Sequence, residues 1–277
     1  MDSPFFDKST MSITACRRGE PSLRKGGYGL CESRKGWLAV SCHGFGKDGK
    51  TAMKIGLLIA IERELAAFLQ SGEERTEETA AGRTVYKARM EGHDVYAVRS
   101  GCGEIDAAAA TMLLIVKYGC EVILNFGVTG ALEKDLKVED LFVAEKACYY
   151  DFDLSALEGL KKGQYEEYPD EFIPLDRELV KLAEERVPGI RRTAVASADK
   201  FVVDQAEKLR LREMGCGICD MEAAAIARVC ERSGVKCLSI KCISDTFDGD
   251  GGDFNLNVTR SAEKAFRGIR EVLKALA

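Results

Sequence analysis

From Met53 onward the sequence predicts an α/β fold with a twisted, mixed, mostly parallel central sheet flanked by helices. Three observations carry this. Strand-like and helix-like segments alternate, which implies parallel pairing through crossover helices. Short β-branched apolar runs at 54–61, 121–126 and 235–244 read as strands buried on both faces. In the last segment Val258, Ala262, Ala265, Phe266, Ile269, Val272, Leu273 and Leu276 recur at three- and four-residue steps, the single apolar stripe of a surface helix.

A helix over 62–69 follows the first strand. Segments 84–90 and 94–99 read as strands joined by the turn Glu91-Gly92-His93, which makes the sheet mixed. Ser100-Gly101-Cys102-Gly103 ends that pair, and an Ala- and Leu-rich helix runs from about 105 to Gly119. The strand at 121–126 enters Gly127-Val128-Thr129-Gly130, read as a turn where backbone can approach a ligand closely. A strand spans 141–150. The polar stretch 151–174 is long enough to expect a functional loop or lid. A helix at 177–187 stops at Pro188-Gly189, and a strand follows at 193–197. A helix at 205–214 stops at Gly215, another runs from Glu222 to Ser233-Gly234, and the strand from 235 ends beside Asp245.

Residues 1–52 have a different composition. They are Gly- and Ser-rich, lack sustained periodicity, and carry a net charge of +4 against −9 for the rest. They predict a disordered extension, or an upstream start read before the true one, ahead of a single domain at 53–277. A basic arm can bind nucleic acid. This one lacks a helical basic face and intersperses its acids, so no nucleic-acid partner is expected. No apolar run is long enough for a membrane span, and no secretory signal order is present. The eleven cysteines are scattered through apolar contexts, which points to small buried hydrophobes in a reducing cytosol. Cys216-x-x-Cys219 satisfies zinc spacing once, and the chain has two histidines, so no metal site is predicted. Acid–base work then falls to carboxylates.

Two stretches stand out for that work. Cys219-Asp220-Met221-Glu222-Ala223 places Glu222 at a helix start, and Ile240-Lys241-Cys242-Ile243-Ser244-Asp245 ends a strand in an acid. Ligands of open α/β sheets bind beyond the carboxyl ends of strands. First-turn acids also complement the helix dipole, so spacing alone leaves both readings open. Gly101-x-Gly103 lacks the third glycine of a dinucleotide fingerprint and reads as a tight turn; no cofactor motif is found.

Taken in order, Lys54-Ile55-Gly56 with Glu64, Ser100-Gly101-Cys102-Gly103, Gly127-x-x-Gly130-x-Leu132, Ser197-x-Asp199-x-Phe201, Met221-Glu222-Ala223 and Ser244-Asp245 resemble the nucleoside phosphorylase superfamily. The most similar branch is the 5′-methylthioadenosine/S-adenosylhomocysteine nucleosidases. The resemblance covers 53–277 and implies a three-layer α/β sandwich, usually homodimeric, that hydrolyses the N-glycosidic bond of 5′-thio-substituted adenosines without a cofactor. It implies Asp245 as the acid to adenine N7, with a pKa raised by partial burial, Glu64 as the group activating water, and Glu222 as acceptor for the ribose hydroxyls. Met221 would pack on the sugar, Phe201 would stack on adenine, and the Val202 backbone would read its edge. Thr129, Gly130, Lys241 and Ser244 fall at further substrate-binding positions. Ile61, Cys102 and Phe254 match the wall around the 5′ tail, and Leu154 and Leu157 match the part supplied by a partner subunit.

The sequence departs from the branch at several points. Val128 replaces a common serine, Lys241 an arginine, Asp220 a glutamate and Tyr150 a histidine, and Leu157 stands where an aromatic is frequent. Two other functions therefore stay open at this level: a phosphate-dependent phosphorylase, for which Arg99 and Lys241 are candidate anion ligands, and a non-catalytic nucleoside-binding protein.

Overall fold

The computed structural model describes residues 52–249 and 251–277, so the predicted N-terminal extension lies, but for its last residue, outside them. The chain runs β1 (Lys54–Ile59), α1 (Glu62–Leu69), β2 (Arg75–Ala80), β3 (Arg83–Met90), β4 (His93–Arg99), α2 (Glu104–Tyr118), β5 (Val122–Ala131), β6 (Leu141–Tyr149), α3 (Ser155–Glu158), β7 (Ile173–Pro174), α4 (Arg177–Arg186), β8 (Arg191–Ser197), α5 (Gln205–Glu213), β9 (Ile218–Asp220), α6 (Ala223–Ser233), β10 (Lys236–Asp245) and α7 (Gly252–Leu276).

Local chemistry explains most boundaries. Asp176 and Asp204 cap α4 and α5, each accepting from the backbone N–H three residues on. Gly119 and Gly234 close α2 and α6 in the left-handed conformation that a side chain disfavours. Glu91 and Gly92 both have positive φ, as a two-residue hairpin between β3 and β4 requires. The apolar stripe of α7 packs on the sheet, with Phe266 against Phe68 and Phe126. No helix among the described residues is long and apolar enough to cross a membrane.

The expected mixed α/β sheet is present. Parallel pairing holds its centre, β4-β1-β5-β10, and β2 and β3 extend one edge antiparallel. On the other side the sheet closes on itself, because β10 pairs β6, β6 pairs β8, β8 pairs β9, and β9 returns to β5.

Strand β5 is the hub, and three expectations are corrected around the sheet. First, Gly127-x-x-Gly130 is not a turn: β5 runs straight through it, paired to β10 from Val122 to Gly130. The glycines are there for space. A Cβ on Gly127 would stand 2.5 Å from Glu64 Oε1, and one on Gly130 would stand 2.8 Å from Asp245 Oδ2. Second, β2 escapes sequence reading because Arg-Thr-Glu-Glu-Thr-Ala is a polar, mostly exposed edge strand without apolar alternation. Third, the stretch 151–174 contains α3 and β7. It is anchored by Tyr149, Phe152 and Tyr165, whose rings stack in series, with the Arg228 guanidinium 4.3 Å from the Tyr165 ring centre.

Candidate active site

The site begins where two strands part. On one edge β5 pairs β1 as far as Asn125, then picks up β9 from Gly130. Between those points its backbone is free, at the carboxyl end of β1. This is the crevice at a switch point of strand order where α/β sheets bind ligands. Helix α1 starts there and sends Glu64 back into the opening. Glu64 Oε1 accepts from Val128 N–H at 2.8 Å, and Oε2 accepts from Ala60 and Ile61 N–H at 3.2 and 3.1 Å. The same side chain therefore caps its own helix and fills the freed edge of β5. Burial pushes its carboxyl pKa up, against Lys241 and the three N–H groups.

Glu222 comes from another direction, at the N-cap of α6 directly after β9. Its Oε1 accepts from Gly103 N–H at 3.1 Å. The Gly101-x-Gly103 turn thus donates to a carboxylate of its own chain, which supports the turn reading over a phosphate cradle. Burial raises the Glu222 pKa to about 7; Lys241 and Gly103 oppose the rise, and Asp220 and Glu64 add to it.

Lys241 on β10 is the cation among these acids. Its Nζ lies 2.7 Å from Asp220 Oδ2, both side chains 2% exposed. Burial pulls its pKa down, and Asp220, Glu222 and Glu64 together more than reverse that. Asp220 is tied further by Ser197 Oγ at 2.5 Å and by the Glu222 and Ala223 N–H groups at the start of α6. Asp220 and Lys241 thus complement each other as a buried pair, the point charge of the ammonium meeting one carboxylate oxygen.

At the end of β10, Asp245 is 4% exposed and accepts from Ser244 Oγ at 2.8 Å. Gly130 lies against Asp245 Oδ2 and the Cys219 thiol, and Thr129 Oγ1 donates to the Cys219 carbonyl at 2.7 Å. Phe201 and Phe254 meet edge to face at 5.6 Å, with Phe201 46% exposed. Ile61 and Met221 are half-buried, Cys102 is exposed and Val202 is buried. Leu154 and Leu157 lie at α3, and Leu157 is 80% exposed. His93 is buried at the opposite end of β4, its Nδ1 accepting from Met53 N–H.

The family model for the Phosphorylase superfamily matches residues 54–276. The chain belongs to that superfamily. It is 32% identical to the 5′-methylthioadenosine/S-adenosylhomocysteine nucleosidase of Shewanella halifaxensis, over 81% of this chain and all of that one. It is 29% identical to the aminodeoxyfutalosine nucleosidase of Campylobacter jejuni, over 74% of this chain and 90% of the relative. Among solved structures, an inhibitor complex of the Helicobacter pylori 5′-methylthioadenosine/S-adenosylhomocysteine nucleosidase superposes with a TM-score of 0.77 at 27% identity, covering 82% of this chain and all of that one.

One buried acid beside these residues escapes a reading of the sequence. Glu104, at the start of α2, looks like an ordinary first-turn acid. It is 4% exposed, its Oε2 accepts from Ala225 N–H at 2.5 Å, and Oε1 has no partner among the described residues. Burial, with Asp220 nearby, raises its pKa to about 8. Asp199 accepts from Glu104 N–H at 2.7 Å, and a Cβ on Gly103 would stand 2.6 Å from its Oδ1. The Ser197-x-Asp199 motif therefore holds Asp220 with one residue and the start of α2 with the other.

Proposed function

We propose that the protein hydrolyses the N-glycosidic bond of 5′-thio-substituted adenosines, methylthioadenosine and adenosylhomocysteine among them, and releases adenine. The observation that carries this is Glu64, a buried carboxyl held by three N–H groups in the split between β1 and β9. A carboxylate there, with its pKa raised, is suited to take a proton from water. The C1′–N9 bond breaks with its electron pair passing to adenine, Asp245 gives a proton to N7, and water adds to C1′ while its proton goes to Glu64. Glu222 accepts from the ribose hydroxyls, and Lys241 offsets the charge of Glu64 and Glu222. Phe201 stacks on the base, the Val202 backbone reads its edge, and Met221 packs on the sugar.

Hydrolysis is favoured over phosphorolysis by charge. Lys241 is already paired with Asp220, Val128 offers no hydroxyl, and a phosphate in the crevice would face Glu64. Adenine release from methylthioadenosine in phosphate-free buffer, with free methylthioribose as the second product, is the expected result. Release only with added phosphate, yielding the sugar 1-phosphate, would overturn it. The relatives that act on futalosine-type nucleosides make a bulkier 5′ substituent the second reading; the exposed wall at Cys102 and Phe201 supports it.

The reading includes a homodimer in a reducing cytoplasm. Ile105, Met112 and Val116 form an exposed apolar stripe on α2, which a second copy would cover while bringing Leu154 and Leu157 to the 5′ tail. The described cysteines are free thiols, all but Cys102 buried. A monomer in sedimentation equilibrium would remove the partner-supplied wall.

A further inference from the structure

A buried lysine that this scheme does not use stands behind the turn carrying Asp245. Lys208, in α5, is 1% exposed. Its ammonium donates to the carbonyls of Thr246 and Phe247, both at 2.9 Å. Among the described residues no carboxylate pairs with it. Burying a cation without a counter-ion is costly unless its protons are satisfied, so its place needs a reason.

The reason lies in where the two carbonyls are. β10 ends at Asp245, and the sheet ladder no longer fixes the backbone beyond it. On the strand side, Ser261 Oγ donates to the Ile243 carbonyl at 2.8 Å and Asn257 Nδ2 to the Ser244 carbonyl at 3.1 Å. On the far side Lys208 takes the next two residues. Side-chain donors from α7 and α5 thus bracket Asp245 along its own main chain. The Phe247 ring is buried, with the Lys208 ammonium 5.9 Å from its centre. The Cys219 thiol, packed against Gly130 beside Asp245, feels the charges of both Asp245 and Lys208.

We propose that Lys208 is a positioning residue for the general acid: it fixes the main chain after Asp245 so that the carboxyl meets the departing base. The proposal rests on the reading of Asp245 as the acid. It makes a demand that a merely stabilising lysine would not. Loss of Lys208 should harm only reactions whose leaving group must be protonated.

The test uses the full chain with two substrates, methylthioadenosine and p-nitrophenyl 5-methylthio-β-riboside, whose nitrophenolate departs without a proton. Lys208→Met should lower kcat for adenine release by about 10²-fold, the scale of a roughly 1 Å misplacement, with KM little changed. Nitrophenolate release should stay within about threefold of the parent, and Lys208→Arg should keep most of both. Equal loss on both substrates, or loss on neither, would overturn the proposal. If Lys208→Met does not fold, Lys208→Gln takes its place, and failure of both neutral variants to fold would assign Lys208 to stability alone and overturn it too. Asp245→Asn is measured alongside. If that variant still releases adenine, the reading of Asp245 falls; if it does not, while Lys208→Met matches the parent, only the role of Lys208 falls.

Discussion

The buried carboxylate cluster and the exposed side chains proposed to face the 5′ tail are built in opposite ways. Glu64, Asp220, Glu222, Lys241 and Asp245 are all buried, and each is fixed by a partner from another element or by its own neighbours. The glycines beside them leave no room for a methyl group. By contrast, Cys102 is exposed and Phe201 is half-exposed, its ring meeting that of Phe254. In the proposed scheme the chemistry is thus completed by buried side chains of one chain, while recognition of the tail falls to exposed ones and to the proposed second copy. A buried charged cluster tolerates no slack, because an unpaired member costs far more than an apolar side chain left bare at the surface.

The hardest test of the closed end is Asp245→Asn. It keeps the shape and removes the proton, so kcat for adenine release should fall by about 10³-fold, within the range for a general acid. Binding of a transition-state analogue should weaken much less than turnover, by the logic that protonation is needed mainly at the transition state. Near-parental turnover would strip Asp245 of its role. Gly127→Ala tests the packing instead. The new methyl must displace the Glu64 carboxylate 2.5 Å away, and overpacking of this kind costs about 1–3 kcal/mol. A melting temperature lower by several degrees and a clear loss of kcat are expected. An unchanged kcat would show that Glu64 can move without consequence.

A smaller effect should come from Glu104, the acid with one unpartnered oxygen. Its folded pKa, raised to about 8, lies above its ordinary 4.5. The folded state therefore holds the proton more tightly, and stability from this group is complete below about pH 4.5 and lost as pH climbs to about 8. Glu104→Gln stays neutral throughout. The fall in melting temperature between pH 5 and pH 9 should be shallower in the variant, with the residual slope coming from Glu222. An identical fall would show that Glu104 does not titrate in that window.

These residues also mark how far the sequence could be read. The strand ends, the stripe of α7 and the glycine stops of α2 and α6 are local signals, and local signals survive folding. The motifs around Glu64, Glu222 and Asp245 were legible through the resemblance, and their surroundings now have physical reasons. Glu104 and Lys208 were not legible. A first-turn acid and a lysine in a charged helix look solvated in sequence, and what buries them arrives from residues 121 and 38 positions away. Likewise, nothing in Gly127-Val128-Thr129-Gly130 says strand; only the oxygens of Glu64 and Asp245 beside it explain glycine in a ladder.

The smallest effect belongs to the open wall. Phe201 meets Phe254 edge to face and lies over Gly251, where an added Cβ would come within 3.2 Å of its ring. At 46% exposure it contributes little to the core, so Phe201→Leu should leave stability within about 0.5 kcal/mol of the parent. In the proposed scheme it loses a stacking face for the base, worth about 1 kcal/mol, or about fivefold in KM with kcat nearly unchanged. Steady-state kinetics on methylthioadenosine and a thermal melt of the same preparation decide the matter. A large drop in melting temperature would make Phe201 part of the fold, and the division between a closed chemical end and an open recognition wall would have to be redrawn at that residue.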